Sequence, residues 1–484
     1  MFPDVQLDPH SNVPLYRQLY GSIRSAIVDG ILRHGERIPA TRELAGLLGL
    51  NRTTISAAYD LLESEGFVRG HVGRGSFVVG LPSASAADWA LNFPSADSEP
   101  PSPPPAGAIS FATARPSADL FPLDDFRRSC DEALSGSGAA DILQLGSAYG
   151  YAPLREYLLD AARRDGLARD GDDLIITNGC QQALDLVQRV LIHPGDPVLV
   201  EDPVYPGLKN LFLRAGARLV GVPVGPDGLS PDALDAAPRA RVLVTTPTFQ
   251  NPTGATIPAE RRLELLDAAR NRGLLVIEND IYGDLRYEGA AVPPLKASDE
   301  TRRVALLQSF SKITFPGLRV GWVLGPRALI ARLAEAKQVT DLHSDQLSQA
   351  ALLRFAESGR LAAHRQRVVT AGGLRLKAVL EACGRWLPAG SEFTRPEGGM
   401  NLWVRLPRPL DAMDLLARAH RAGVAYIPGR YFEVSRHDPG ALRLSFAGLA
   451  PAEIRRGVEI LGSIASAELE RTRTERRAPA PALV

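Results

Sequence analysis

Cysteine is scarce, with three in 484 residues. Cys130, Cys180 and Cys383 are odd in number and far apart, which argues against a disulfide framework or a zinc cluster and fits a reducing cytoplasm. The eight histidines form no ligand-spaced pair, so no metal is expected. An excess of charge is also missing: 55 acidic residues balance 55 basic ones. Bulk charge therefore predicts no polyanion or membrane partner, and any nucleic-acid contact must come from local placement of arginines. No apolar stretch approaches the roughly 20 residues of a membrane span. Residues 1–10 carry Asp4 and Asp8 and lack the apolar segment of a signal peptide. Lysine is nearly absent, limited to Lys209, Lys296, Lys312, Lys337 and Lys377; arginine supplies the other basic positions.

What is present divides the chain. A length of 484 residues suits two or three domains and a large buried core. Residues 81–107 are rich in Pro, Ser and Ala, with Pro100, Pro101, Pro103, Pro104 and Pro105 crowding the end. Such a stretch builds no core and reads as a semi-extended linker. It separates a small domain (11–80) from a large one (108–468). Residues 469–484 alternate charge, then run to Pro and Ala, and read as a disordered tail.

In the small domain, Leu15, Leu19, Ile23 and Ile27 mark one face of a first helix. A second helix spans about Thr41 to Leu48, with Leu44, Leu47 and Leu48 expected to face inward. Gly49 breaks it, and Asn51 caps a third helix carrying Ile55, Tyr59 and Leu62 on one face. Two helices joined by a short glycine turn make a helix-turn-helix. The alternating segment 66–79 then folds back at glycines and reads as a β-wing. Polar residues fall where a duplex contact needs them. Arg42 opens the second helix, Arg52, Thr53 and Thr54 open the third, and Arg74 and Gly75 tip the wing. The alternative is a small helical protein-interaction domain.

The runs Ile38-Pro39-Ala40-Thr41-Arg42-Glu43-Leu44-Ala45, Asn51-Arg52-Thr53-Thr54-Ile55-Ser56-Ala57-Ala58-Tyr59 and Leu62-Glu63-Ser64-Glu65-Gly66-Phe67 resemble the GntR family of winged-helix regulators. The resemblance implies binding of double-stranded DNA through Arg42, Arg52, Thr54 and the wing.

The large domain alternates apolar runs with helical patterns. Strands are expected at Leu174–Thr177, Pro197–Glu201, Arg241–Thr245, Leu274–Glu278, Val304–Leu307 and Leu318–Leu324. This is the βαβ pattern of an α/β domain with a mostly parallel sheet. Ligands of such sheets bind beyond the carboxyl ends of the strands, where Gly179, Asp202, Asn251, Asp280 and Lys312 fall. Lys312 sits in Ser309-Phe310-Ser311-Lys312, seven residues before Arg319. A lysine there can form a Schiff base with an aldehyde, beside hydroxyls and an arginine suited to a phosphate. That is pyridoxal phosphate chemistry.

Each supporting motif has a plainer alternative. Asn178-Gly179-Cys180-Gln181 offers free N–H groups to a phosphate, or is a simple strand-to-helix turn. Tyr205 can stack on a flat ring or be core. Asn251, in Asn251-Pro252-Thr253-Gly254, can donate to a phenolate or mark a turn. Asp280 can pair with a pyridine nitrogen or cap a helix, and Tyr282 can reach the ring hydroxyl. Arg443, inside an apolar strand pattern, needs an anion: a ligand carboxylate, or a structural ion pair.

In order and spacing these motifs resemble the fold-type I aminotransferases from about residue 110 to 465. The resemblance implies that Lys312 forms the aldimine with pyridoxal 5'-phosphate and that Asp280 faces the pyridine nitrogen. Asn251 and Tyr282 would touch the ring oxygen, and Tyr205 would stack. Cys180 and Gln181 (backbone), Ser309, Ser311 and Arg319 would bind phosphate, and Arg443 an amino-acid carboxylate. It also implies a homodimer. A GntR-like head, a Pro-rich linker and an aminotransferase-like domain together resemble the MocR subfamily of bacterial regulators. One departure is Leu145, where these domains often carry a tyrosine reaching across the dimer; Tyr149 or Tyr151 are possible substitutes. The expected function is a DNA-binding regulator that senses an amino-compound effector, or pyridoxal phosphate itself. The alternative is an active aminotransferase with an appended DNA-binding head.

Overall fold

The computed structural model describes residues 7–8, 13–71, 75–79 and 105–477. Two compact units divide at Pro100. Most of the linker segment, the wing residue Arg74 and residues 478–484 lie outside the described residues.

The first unit is a three-helix head with a wing. α1 spans Leu15–Val28, α2 Thr41–Leu48 and α3 Arg52–Ser64. Asn51 Oδ1 accepts from Thr53 N at 3.1 Å and caps α3, satisfying a donor that a helix start leaves free. Gly49 closes α2 at φ 65°, a left-handed conformation that glycine adopts without a Cβ clash. Leu19, Ile23, Ile38, Leu44, Ile55, Leu62 and Val78 form one buried core. Leu47 departs from expectation: it is 68% exposed. Only Leu44 is buried on this eight-residue helix, so the inward stripe is too narrow to include it. The strands Val68–His71 and Gly75–Val78 pair antiparallel, and Arg37–Ile38 adds a third strand to the latter.

The second unit is built on an eight-strand sheet. Its order is Asp172–Thr177, Gly321–Pro326, Val304–Ser309, Leu275–Asn279, Val242–Thr245, Pro197–Asp202, Arg218–Gly225, Gly228–Leu229. From Val304–Ser309 to Arg218–Gly225 every pairing is parallel. Gly321–Pro326 runs antiparallel to both its neighbours. Val304, Ala305, Leu306 and Leu307 are wholly buried, as befits a strand covered by helices on both faces. The strand Arg218–Gly225 was not among those expected; it carries Pro223 and lies near the sheet edge, where proline is tolerated. The strand expected from Leu318 begins at Gly321 instead. Pro316–Leu318 makes a 3-10 turn and Arg319 takes φ 55°, which ends any extended run there.

A four-strand sheet (Glu392–Phe393, Asn401–Arg405, Ala441–Ser445, Ile427–Pro428) carries Arg443 on its third strand. The final helix, Pro451–Arg477, continues past residue 468, correcting the expectation of a disordered tail from 469. Arg471 within the helix pairs with Glu468 at 2.6 Å, and Glu468 also binds Arg418. Among the described residues no helix is long and apolar enough to cross a membrane, and no His, Cys, Asp and Glu cluster suits a metal ion.

Candidate functional site

The strand Val304–Ser309 ends in a 3-10 turn, Phe310–Lys312. That turn delivers Lys312 to the carboxyl edge of the sheet. Its Nζ donates to Ala114 O at 2.8 Å and lies 5.7 Å from the Tyr282 ring centre. Burial, with Arg443 and Arg319 nearby, pulls the amine down to about 8. The other lysines are engaged or remote. Lys296 and Lys337 are fully buried in ion pairs, Lys209 donates to Glu433 O at 2.9 Å, and Lys377 is exposed.

On one side of Lys312 is a cup of donors. Gly179 opens the helix Gly179–Leu191, whose first N–H groups lack intrahelical partners. Cys180 and Gln181 follow it, with the Gln181 side chain donating to Gly207 O at 3.3 Å. Ser309 Oγ and Ser311 Oγ are 2.9 Å apart. Arg319 donates to Ser311 Oγ at 3.4 Å and to Asn178 O at 3.3 Å. Gly179 takes φ 76°, and a Cβ there would meet Arg319 Nη2 at 2.4 Å, so only glycine leaves room for the arginine. Burial pushes the Cys180 thiol up to about 12; it is a neutral group beside the cup.

Two buried ionisable groups flank this arrangement without a counter-ion. Asp280 is 8% exposed and accepts from Gln308 Nε2 at 3.2 Å. Burial, then the neighbouring Glu278, hold its carboxyl far above the usual range. Among the described residues no basic group pairs with it. Arg443 is 4% exposed. It donates to Asn251 Oδ1 at 3.1 Å and to Ala112 O, while its Nε has no partner among the described residues. Burial lowers it to about 10. A structural ion pair for Arg443 is therefore absent among the described residues, and an isolated buried cation is costly unless an anion arrives.

Asn251 Nδ2 also donates to Tyr282 Oη at 3.3 Å, joining the two residues expected near a ring oxygen. Tyr205 is 37% exposed, with its ring against Gly207, where a Cβ would sit 2.4 Å away. Gln308 and the carbonyls of Ala112 and Ala114 were not foreseen. Gln308 hides inside an apolar strand, and a backbone carbonyl has no residue signature. Leu145 is 74% and Leu143 70% exposed; Leu145 lines a cavity of about 390 Å³ with Tyr149, Leu342 and His343. Tyr149 lies under the Arg155 guanidinium at 5.4 Å, and Tyr151 packs in its own chain's core.

In the head, Arg42, Arg52 and Thr53 are exposed and Thr54 is half-buried. They cluster at the starts of α2 and α3 as a groove-reading face requires. Gly75 takes φ 96°, where a Cβ would meet Arg37 Nε at 2.9 Å.

Fold and site together define a regulator head joined to an aminotransferase-fold domain. Residues 126–461 match the family described as aminotransferase class I and II, and residues 15–78 the bacterial regulatory proteins of the gntR family. The aromatic-amino-acid aminotransferase 1 of Thermococcus litoralis is 35% identical over 75% of this chain and 89% of its own. The structure of LysN, the α-aminoadipate aminotransferase of Thermus thermophilus complexed with N-(5'-phosphopyridoxyl)-L-leucine, covers 79% of this chain and 99% of its own, at 34% identity and a TM-score of 0.73. Each leaves about a fifth to a quarter of this chain uncovered, a share the size of the head and linker. The probable rhizopine catabolism regulatory protein MocR of Rhizobium meliloti spans it: 31% identity over 94% of this chain and 95% of its own. The chain belongs to the class I and II aminotransferase family and is a GntR regulator of the MocR kind.

Proposed function

We propose that this regulator senses an amino compound through pyridoxal 5'-phosphate held at Lys312, acting on DNA as a cytoplasmic homodimer. The observation that carries the reading is the pair of buried ionisable groups near Lys312 that have no counter-ion among the described residues: the carboxyl of Asp280 and the guanidinium of Arg443. The residues fit the cofactor. Asp280 would face the ring nitrogen and hold its positive charge, Tyr205 would stack, and Asn251 and Tyr282 would reach the ring oxygen. The N–H groups of Cys180 and Gln181, with Ser309, Ser311 and Arg319, would hold the phosphate. When bound, pyridoxal phosphate supplies an electrophilic aldehyde carbon and an electron-drawing ring. Arg443 presents its planar fork to the carboxylate of the incoming amino compound. The ligand changes DNA binding only insofar as it binds two arrangements of the protein with different affinity. The exposed Leu143 and Leu145 are the apolar surface a second copy would cover, giving two heads for two half-sites.

Lys312 attacks an aldehyde only as the neutral amine. With the amine held at about 8, its capture of added pyridoxal phosphate accelerates as pH rises from 7 to 9 and levels off above, rather than near the ordinary lysine value of about 10.4. Stopped-flow absorbance gives the profile, and a midpoint near the ordinary value counts against a buried, cation-flanked amine.

The head is tested separately. Arg52→Ala weakens specific DNA binding by about 1–3 kcal/mol, as for loss of one base-reading arginine, in fluorescence anisotropy, and leaves the cofactor spectrum unchanged. Loss of that spectrum would show that head and effector domain are not independent modules. A second reading, an aminotransferase carrying a DNA head, is favoured by the likeness to the Thermococcus enzyme. Sustained keto-acid conversion without specific DNA binding would establish it.

A further inference from the structure

The donor cup is held from behind by side chains that do not face it. Asn178 precedes the helix Gly179–Leu191 but does not cap it with its side chain. Instead its Nδ2 donates to Asp341 Oδ2 at 2.9 Å. Its backbone N–H donates to Gln182 Oε1 at 2.8 Å. Gln182 Nε2 donates to the same Asp341 Oδ2 at 2.6 Å. The other carboxylate oxygen accepts from Lys337 Nζ at 2.6 Å, and the Lys337 side chain is 0% exposed. On the cup side, Asn178 O accepts from Arg319. Asn178 is thereby held at its N–H, its amide and its carbonyl.

This arrangement is costly twice over. Asp341 is the last residue of the helix Arg327–Asp341, where the helix dipole disfavours an anion. Burying Lys337 costs desolvation that an apolar residue of similar shape would avoid. Burial indeed lowers the Lys337 amine, opposed by Asp341. Stability alone is a poor reason for such a pair. What it provides is direction: with Oδ1 occupied by Lys337, Asp341 offers Oδ2 to Asn178 and Gln182 together.

We propose that Asp341, backed by Lys337 and working through Gln182 and Asn178, is the positioning residue of the phosphate cup. It fixes the turn that aims the N–H groups of Gly179, Cys180 and Gln181, and it touches no ligand itself. The inference rests on the pyridoxal phosphate reading above.

The test compares two aldehydes on the full-length protein: pyridoxal phosphate, and pyridoxal, which lacks the phosphate. Asp341→Asn replaces an acceptor with a competing donor. Its affinity for pyridoxal phosphate is expected to fall about tenfold or more, while that for pyridoxal changes less than about twofold. Gln182→Met removes both Gln182 bonds without touching the ion pair and is expected to narrow the same ratio less. This variant carries the test if Asp341→Asn does not fold. An equal fall in both affinities in a folded variant, or an unchanged ratio in both variants, overturns the inference. If the wild-type protein itself does not distinguish the two aldehydes, the phosphate cup is wrong, and the inference falls with it.

Discussion

Lys312→Ala abolishes both the visible absorption of protein-attached pyridoxal phosphate and the response to effector, and leaves DNA binding measurable. Both losses follow from one atom. Among the described residues the other buried and half-buried lysines are held elsewhere: Lys296 and Lys337 are locked in ion pairs and Lys209 bonds Glu433 O. No neighbour can replace Lys312 Nζ as a nucleophile. Alanine leaves the cup, Asp280 and Arg443 in place, so weak non-covalent retention of the cofactor is compatible with the expectation, but attachment is not. The head has its own core of α1, α2, α3 and the wing, which is why its DNA binding survives. Absorbance, with anisotropy on the same preparation, reads both. A variant that still answered to effector would exclude covalent sensing.

Arg443→Ala is the second large effect. A carboxylate-bearing amine is expected to lose about 2 kcal/mol or more of binding, roughly 30-fold, as when one member of a buried charge pair is removed. An amine without a carboxylate should lose little. Arg443→Lys should recover only part of the loss, because an ammonium keeps the charge without the fork. Calorimetric titration with matched amines that differ in the carboxylate separates the outcomes. Equal losses for both would assign Arg443 to the framework instead, holding Asn251 and the Ala112 carbonyl.

The residues first noticed share a placement, which is why the candidate site was legible. Gly179, Asp202, Asn251, Asp280 and Lys312 stand at or shortly past the ends of the buried runs Asp172–Thr177, Pro197–Asp202, Val242–Thr245, Leu275–Asn279 and Val304–Ser309. Polar residues just past such runs stand at the ligand-binding edge of a parallel sheet. The head was legible for a related reason: Gly49 and Asn51 punctuate its helices, and both do so through a stated conformation or bond. What stayed hidden lacks a local mark. Gln308 looks like an interruption in a strand and proves to be the hydrogen-bond donor to Asp280. Lys337 and Asp341, four apart on a helix, look like an ordinary solvated pair, and only burial distinguishes them. Leu47 misled in the opposite direction, since a short helix has a narrow inner face. The helix beyond residue 468 was concealed by a composition that reads as a tail.

The scarcity of lysine has a practical chemical consequence. Aldehydes in excess ordinarily decorate a protein's surface amines and blur any count of specific attachment. Here arginine, which does not condense with a simple aldehyde under the same conditions, carries almost all the surface positive charge. Of the five lysines, only Lys377 lies exposed, and it is on a helix far along the chain from the cup. Lys209 is half-buried, as Lys312 is, so hydride trapping followed by peptide mass analysis has a background of at most two side chains. The ratio of label on Lys312 to label on Lys377 measures, within a single molecule, how far the fold has made one amine unlike another.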